Sequence, residues 1–361
     1  MTGEERPGSG PAGDALGGRM IGPHLPVGGA LLKAADRAEA IGATALQIFS
    51  DNPTAWRRKA GPPTDLQGFR ALLEASEVVA LAVHGSYLVN LAGPDEAFWQ
   101  RSVETMSADL AMAQTYAATL FNIHAGSHRG AGVDVGHRRI AAGLAMALEL
   151  GAPEGRARVV IENSAGGRDS IGSRVEELAA LLEEILGAGV PARAVGFCLD
   201  TAHLWGAGYD LSDPNELDEL LATFDRLVGS EHLAMIHLND SRSERGSRTD
   251  RHQHRCAGRI GASGLGAIVR HPRLARVPMF FETPGMDEGY EATNMARVRL
   301  LLAGEPLPEL PAEALNMSSS RVVRRTPAAS PPGPPPTVRA LPQSAPGAVP
   351  RGYREAASRR R

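Results

Sequence analysis

Aromatic residues are scarce in this sequence: Phe, Trp and Tyr make up 4% of 361 positions. Leu, Val, Ile and Ala must therefore do most of the packing. Cysteine is nearly absent. Two thiols, Cys198 and Cys256, cannot build a disulfide framework, which points to a reducing compartment and an expected cytoplasmic location. No run of about 18 apolar residues occurs, so no membrane span is expected. The first 19 residues are Gly-rich and polar, without the apolar stretch of a secretory signal.

What is present suits a large domain. Hydrophobic residues reach 43%, enough for a sizeable core, and the length fits one α/β domain with tails. Residues 1–18 read as a disordered leader and 19–310 as the folded domain. Residues 311–361 read as a disordered tail of Pro, Ala, Ser and Arg, including the run Pro331-Pro332-Gly333-Pro334-Pro335-Pro336. From Asn316 onward there are nine Arg, no Lys and one Glu, a net +8. The overall charge is −3, which leaves the remainder at −11. An acidic body repels a polyanion unless bound cations or a local basic groove offset it.

Eight short apolar runs punctuate the domain: 20–22, 45–49, 79–83, 119–123, 158–161, 195–199, 233–238 and 278–281. Segments with helical spacing alternate with them: 31–40, 66–75, 97–116, 138–150, 175–186, 216–228, 265–271 and 291–302. Alternating strands and helices predict parallel βαβ units. Eight in series predict a closed (β/α)8 TIM barrel rather than an open sheet.

Six of the eight strand-like runs finish on a metal-capable residue: His84, His124, Glu162, Asp200, His237 and Glu282. Strand C-termini converge on one face of such a barrel, where active sites are built. A lone Asp at a strand–helix junction is commonly a helix cap, and a lone Glu can pair with Arg. Six such ends together require something positive at their centre. Imidazole mixed with carboxylate suits zinc or manganese, whereas calcium and magnesium prefer an all-oxygen set. His203 follows Asp200, and Asp250 and His252 sit in a long connection, about 239–261, whose length itself suggests function. Nine donors exceed the need of one ion, and three ions is a natural count if one carboxylate bridges. His24, His128 and His254 are candidates for supporting contacts, and Cys198 is expected in the core.

These segments resemble the endonuclease IV family from about Met20 to Leu302. The resemblance rests on Gly22-Pro23-His24 with Gly28-Gly29, His84-Gly85-Ser86-Tyr87-Leu88-Val89-Asn90-Leu91 and His124-Ala125-Gly126-Ser127-His128. It continues through Glu162-Asn163-Ser164-Ala165-Gly166, Asp200-Thr201-Ala202-His203, Gly208-Tyr209-Asp210 and His237-Leu238-Asn239-Asp240-Ser241. Gly246-Ser247-Arg248-Thr249-Asp250-Arg251-His252 and Glu282-Thr283-Pro284 complete it. The resemblance implies three Zn2+ per chain, with Mn2+ as an alternative at one position. It assigns His84, His124 and Glu162 to the first ion. Glu162, as bridge and catalytic residue, joins Asp200, His237 and Glu282 on the second, and His203, Asp250 and His252 hold the third. Three such ions would add +6 to the acidic body where a polyanion must approach.

The same resemblance implies a monomeric DNA-repair endonuclease acting on double-stranded DNA with abasic sites. It would cut 5′ to the lesion and leave a 3′-hydroxyl and a 5′-deoxyribose phosphate. Tyr87 and Leu88 match the pair that fills the gap left by a flipped nucleotide. The chain departs from the family pattern at three places. Thr54 stands where an inserting Arg is usual, with Arg57 and Arg58 close by. Cys256-Ala257-Gly258 replaces a Gly-Glu-Gly step, and Pro26 replaces a Ser. Two other readings compete: a sugar isomerase or epimerase with a one-ion site, and an inactive DNA-binding relative.

Overall fold

The computed structural model describes residues 15–27, 30–152 and 155–315. The pair Gly28-Gly29, most of the expected leader and nearly all of the expected basic tail lie outside the described residues. Eight parallel strands close into a barrel in sequence order: β1 (Ile21–Leu25), β2 (Ala45–Phe49), β3 (Ala80–His84), β4 (Leu120–His124), β5 (Arg158–Glu162), β6 (Val195–Asp200), β7 (Leu233–His237) and β10 (Met279–Phe281). A short antiparallel hairpin, β8 (Asp240–Ser241) and β9 (His252–Gln253), rises from the connection after β7. The barrel shuts where β10 pairs with β1, Met279 opposite Ile21.

Helices wrap the barrel: α1 (Leu31–Ala40), α2 (Leu66–Ala75), α3 (Glu96–Thr115), α4 (Val133–Gly151), α5 (Val175–Gly187), α6 (Thr201–Ala207), α7 (Pro214–Leu227), α8 (Gly261–Arg270) and α9 (Glu291–Ala303), followed by the single turn α10 (Ala312–Leu315). Their inner stripes follow helical spacing. In α1 the buried residues are Leu31, Ala34, Ala35 and Ala38, and in α5 Val175, Leu178, Leu181, Leu182 and Ile185. Several starts are capped. The Asp95 side chain accepts the Phe98 N–H at α3, and Asp213 accepts the Asn215 N–H at α7, where Pro214 takes the first helical position.

The strand pleat sorts side chains into two layers. In β4, Phe121 and Ile123 pack outward beneath the helices, whereas Asn122 and His124 point into the barrel. The barrel floor is a separate cluster of mostly small residues: Ala45, Ala80, Ala82, Val160, Cys198 and Ala234, with Leu120, Met235 and Phe280 filling the middle. Two boundaries differ from the sequence-based expectation. Leu16, inside the expected leader, is fully buried in the outer core, and Ala314, beyond residue 310, is fully buried as well. Both ends of the domain are fastened by one apolar side chain that composition alone does not reveal.

Candidate metal centre

All nine expected donor residues meet at the C-terminal mouth of the barrel. His84, His124, Glu162, Asp200 and His237 are the last residues of β3 to β7, and Glu282 follows β10 directly. Asp200 does two jobs. Its Oδ1 accepts the His203 N–H at 2.8 Å and so caps α6, the helix that carries His203. Asp250 and His252 arrive from the hairpin, where His252 pairs with Ser241.

The donor atoms form overlapping groups around Glu162. Its Oε2 lies 3.7 Å from His84 Nε2 and 3.9 Å from His124 Nε2. Its Oε1 lies 3.1 Å from His237 Nδ1 and 3.3 Å from His203 Nδ1. His237 Nδ1 is also 3.8 Å from Asp200 Oδ2 and 3.4 Å from Glu282 Oε2. Asp250 reaches His203 Nε2 at 3.3 Å and His252 Nε2 at 3.0 Å, and Asp200 Oδ2 is 3.7 Å from the same His252 nitrogen. Bonds of about 2.0–2.1 Å to a tetrahedral ion set ligand atoms about 3.3 Å apart, within the range seen here.

Buried polar atoms without partners support the fit. Glu162 Oε1, His237 Nδ1 and His252 Nε2 are buried and make no hydrogen bond, a costly state unless a cation completes them. The opposite ring nitrogens are tied down. His84 Nδ1 pairs with the Gly85 carbonyl at 2.8 Å, His252 Nδ1 with the Glu282 carbonyl at 2.8 Å, and His237 Nε2 with Gln47 Oε1 at 3.1 Å. The His203 ring pairs with the Asn163 carbonyl at 2.9 Å. Such contacts fix the tautomer and aim the free nitrogen at an ion.

The carboxylates are held in the same way. Asn122 donates to Glu162 Oε2 at 2.7 Å, and Asn239 donates to Asp200 Oδ2 at 2.6 Å. His24 and Gln47 meet Glu282 Oε1 at 2.6 and 3.0 Å. Sequence reasoning missed Asn122, Asn163, Asn239 and Gln47. Their signal is alternation: Asn122 and Asn239 each stand two residues from a donor. Of the three supporting histidines, only His24 touches the centre. His128 Nδ1 accepts the Gly132 N–H, and His254 packs on Tyr290 and Asn294.

Charge in the centre is strongly coupled. Burial pushes the Glu162 carboxyl up, but His237, His124 and His203 outweigh it and hold it well below the usual carboxylate range. Burial opposes the charged His252 ring, yet Asp250, with Asp200 and Glu282 beyond it, raises its pKa to about 10. Burial opposes the charged rings of His203 and His237 too, but the neighbouring carboxylates outweigh it and favour a proton on each, whereas burial lowers the His124 pKa. Cys198 also lies beside Glu162 and His237, but burial lifts its thiol to about 12, and Cys256 is likewise lifted to about 12. Iodoacetamide at pH 8 should therefore label neither thiol in the folded chain and both after unfolding; rapid labelling of the folded chain would contradict this placement.

Two of the departures from the family pattern can be placed in the fold. Arg58 turns inward, its Nε 3.0 Å from buried Asp109, and so does not take the place of the missing Arg at Thr54; Arg57 is exposed. The Cys256 backbone has φ 58°, the left-handed region a glycine would favour. The loop is held by Asp240, fully buried, which accepts N–H groups from Ser241, Gly258 and Ile260 at 2.8 to 3.0 Å.

The barrel and its mouth define a class first. Residues 35–303 match the family described as a xylose isomerase-like TIM barrel. Likeness to a D-tagatose 3-epimerase-like protein, at 14% identity and a TM-score of 0.57, speaks for that fold alone. Closer relatives narrow it. The chain is 36% identical over 280 residues to a probable endonuclease 4 of Halothermothrix orenii, covering 77% of this chain and 99% of that one. It is 37% identical over 282 residues to a probable endonuclease 4 of Methanosphaerula palustris, covering 78% and 97%. The crystal structure of endonuclease IV from Thermus thermophilus superposes with a TM-score of 0.68 at 35% identity, covering 79% of this chain and 99% of that one. The chain belongs to the endonuclease IV family, and thus to the nucleases.

Proposed function

We propose that this chain hydrolyses the phosphodiester 5′ to abasic sites in duplex DNA, leaving a 3′-hydroxyl and a 5′-deoxyribose phosphate. The observation that carries the proposal is the set of buried, unpartnered donor atoms on Glu162, His237 and His252 at the centre of nine metal-capable side chains. The endonuclease 4 names of its relatives supply nucleic acid as the substrate class, and the family resemblance supplies the abasic site.

His84, His124 and Glu162 would hold one ion, Glu162, Asp200, His237 and Glu282 a second, and His203, Asp250 and His252 a third. Zinc bound there supplies Lewis acidity toward phosphoryl oxygen and water acidified toward neutrality. The chain's own work is orientation. Glu162 spans two sets because Asn122 pins one of its oxygens and leaves the other without a hydrogen bond. Tyr87 is 41% exposed, with its ring 5.3 Å from His84 and 5.9 Å from His124, so it overhangs the first set. With half-buried Leu88 it forms an apolar wedge suited to replace lost base stacking.

A sugar isomerase would need Glu162, Asp200, His237 and Glu282 and would leave the other five donors without a task. One experiment separates the readings. A duplex with a single abasic analogue should be cut by the purified chain, not cut after chelation, and the protein should carry close to three zinc per chain. One metal per chain with no cutting would sink the nuclease reading.

A further inference from the structure

Three arginines on the barrel mouth hold an unusual backbone conformation. Arg129, Arg168 and Arg248 have φ of 46°, 45° and 55°, the left-handed region that costs a side-chain-bearing residue energy and clusters at functional sites; Ala117, Asp169 and Cys256 share it. They come from three connections, after β4, β5 and β7. All three are exposed, and none of them is among the ion pairs found in the described residues. Residues 1–315 carry a net charge of −11, so unpaired guanidinium groups on this face run against the general balance.

The three connections interlock through backbone. Ser127 Oγ donates to the Arg168 carbonyl at 3.0 Å, and the His128 N–H donates to the Asp169 carbonyl at 3.0 Å. A Cβ on Gly167 would lie 2.7 Å from the Arg248 carbonyl oxygen, so those two loops touch main chain to main chain. The Arg129 guanidinium lies over Phe98 at 5.3 Å. Phe98 meets Trp56 edge-on at 5.2 Å, and the guanidinium of exposed Arg101 lies over the Trp56 ring at 5.2 Å. Stacking of this kind orients an arginine while leaving its N–H donors free.

We infer that Arg129, Arg168 and Arg248 form a phosphate-backbone track beside the metal centre that sets the position of the DNA strand. This rests on the DNA reading above and adds residues to it. Planar guanidinium groups suit phosphate bidentately, and a fixed loop framework places them without further ordering on binding.

The test uses the metal-loaded full chain and the double variant Arg129→Gly, Arg168→Gly. Glycine accepts positive φ, so the melting temperature should be equal or higher. Each lost phosphate contact reduces the slope of log K against log salt by about 0.9, so the double variant should bind an abasic-site duplex with a slope shallower by about 1 to 2. The double variant Arg156→Gly, Arg193→Gly, with both residues exposed just before β5 and β6 at the opposite end of the barrel, removes the same charge and should leave the slope unchanged. A wild type that cuts the duplex and a track variant with the wild-type slope, or an equal change in the control, would overturn the track alone. A wild type that neither binds nor cuts the duplex would overturn the DNA reading with it.

Discussion

Glu162→Gln should lose about 100- to 1,000-fold in cleavage of an abasic-site duplex, with metal content falling below the wild-type value. The substitution preserves shape and removes one charge. That charge faces His84, His124, His203 and His237, all within 3.9 Å of its oxygens. It is also the one carboxylate that donates to two of the three proposed ion sets. Its neutral amide would turn an N–H toward either the ions or Asn122, and neither orientation satisfies both. Removing one partner from a buried charged group is costly because the others are left uncompensated. Single-turnover cleavage and metal analysis on the same preparation check the prediction together. Full metal content with undiminished cutting would mean that Glu162 does not bridge.

Chelation should lower the melting temperature by more than about 10 °C. An ion present at about 1,000 times its Kd stabilises by about 4 kcal/mol, and 1 kcal/mol is worth about 2–4 °C in a domain of this size class. The stripped protein should also respond to pH differently. His252 has a folded pKa of about 10 against an ordinary value of 6.5. Its stabilising contribution is therefore complete below pH 6.5 and disappears as pH rises through about 10. If the proposed ion takes the place of that proton, metal uptake releases protons and weakens as pH falls. Melting curves from pH 6 to 10 should show the stripped chain losing stability toward high pH and the loaded chain holding it. Identical profiles for the two would refute the exchange.

Most of the fold was legible in the sequence, and so was the set of candidate donor residues that the fold gathers at one mouth, because both depend on local pattern. Eight apolar runs gave eight strands, and the ligand-type residues at their ends stood out as polar interruptions. The first strand was less legible: its apolar run stops at Gly22, whereas the backbone ladder carries on through Pro23, His24 and Leu25. Helix α6 was not foreseen. It spans only Thr201–Ala207, too short for periodicity to register, although Asp200 as its cap and Gly208 at φ 111° as its end both mark it. Asn122, Asn239 and Gln47 were visible as polar residues in or beside apolar strands, but their role was not. A polar amide inside an apolar strand does not say which neighbour it will meet. Arginine at positive φ was equally hidden, since glycine is the residue that normally advertises such a backbone.

The seam between β1 and β10 gives the centre one more property. Glu282 receives His24 and Gln47 from the opposite side of that seam, so its carboxylate is aimed only when the last strand has returned to the first. An ion that depends on Glu282 thus acts as a latch, and its retention becomes a reporter of whether the ring has shut.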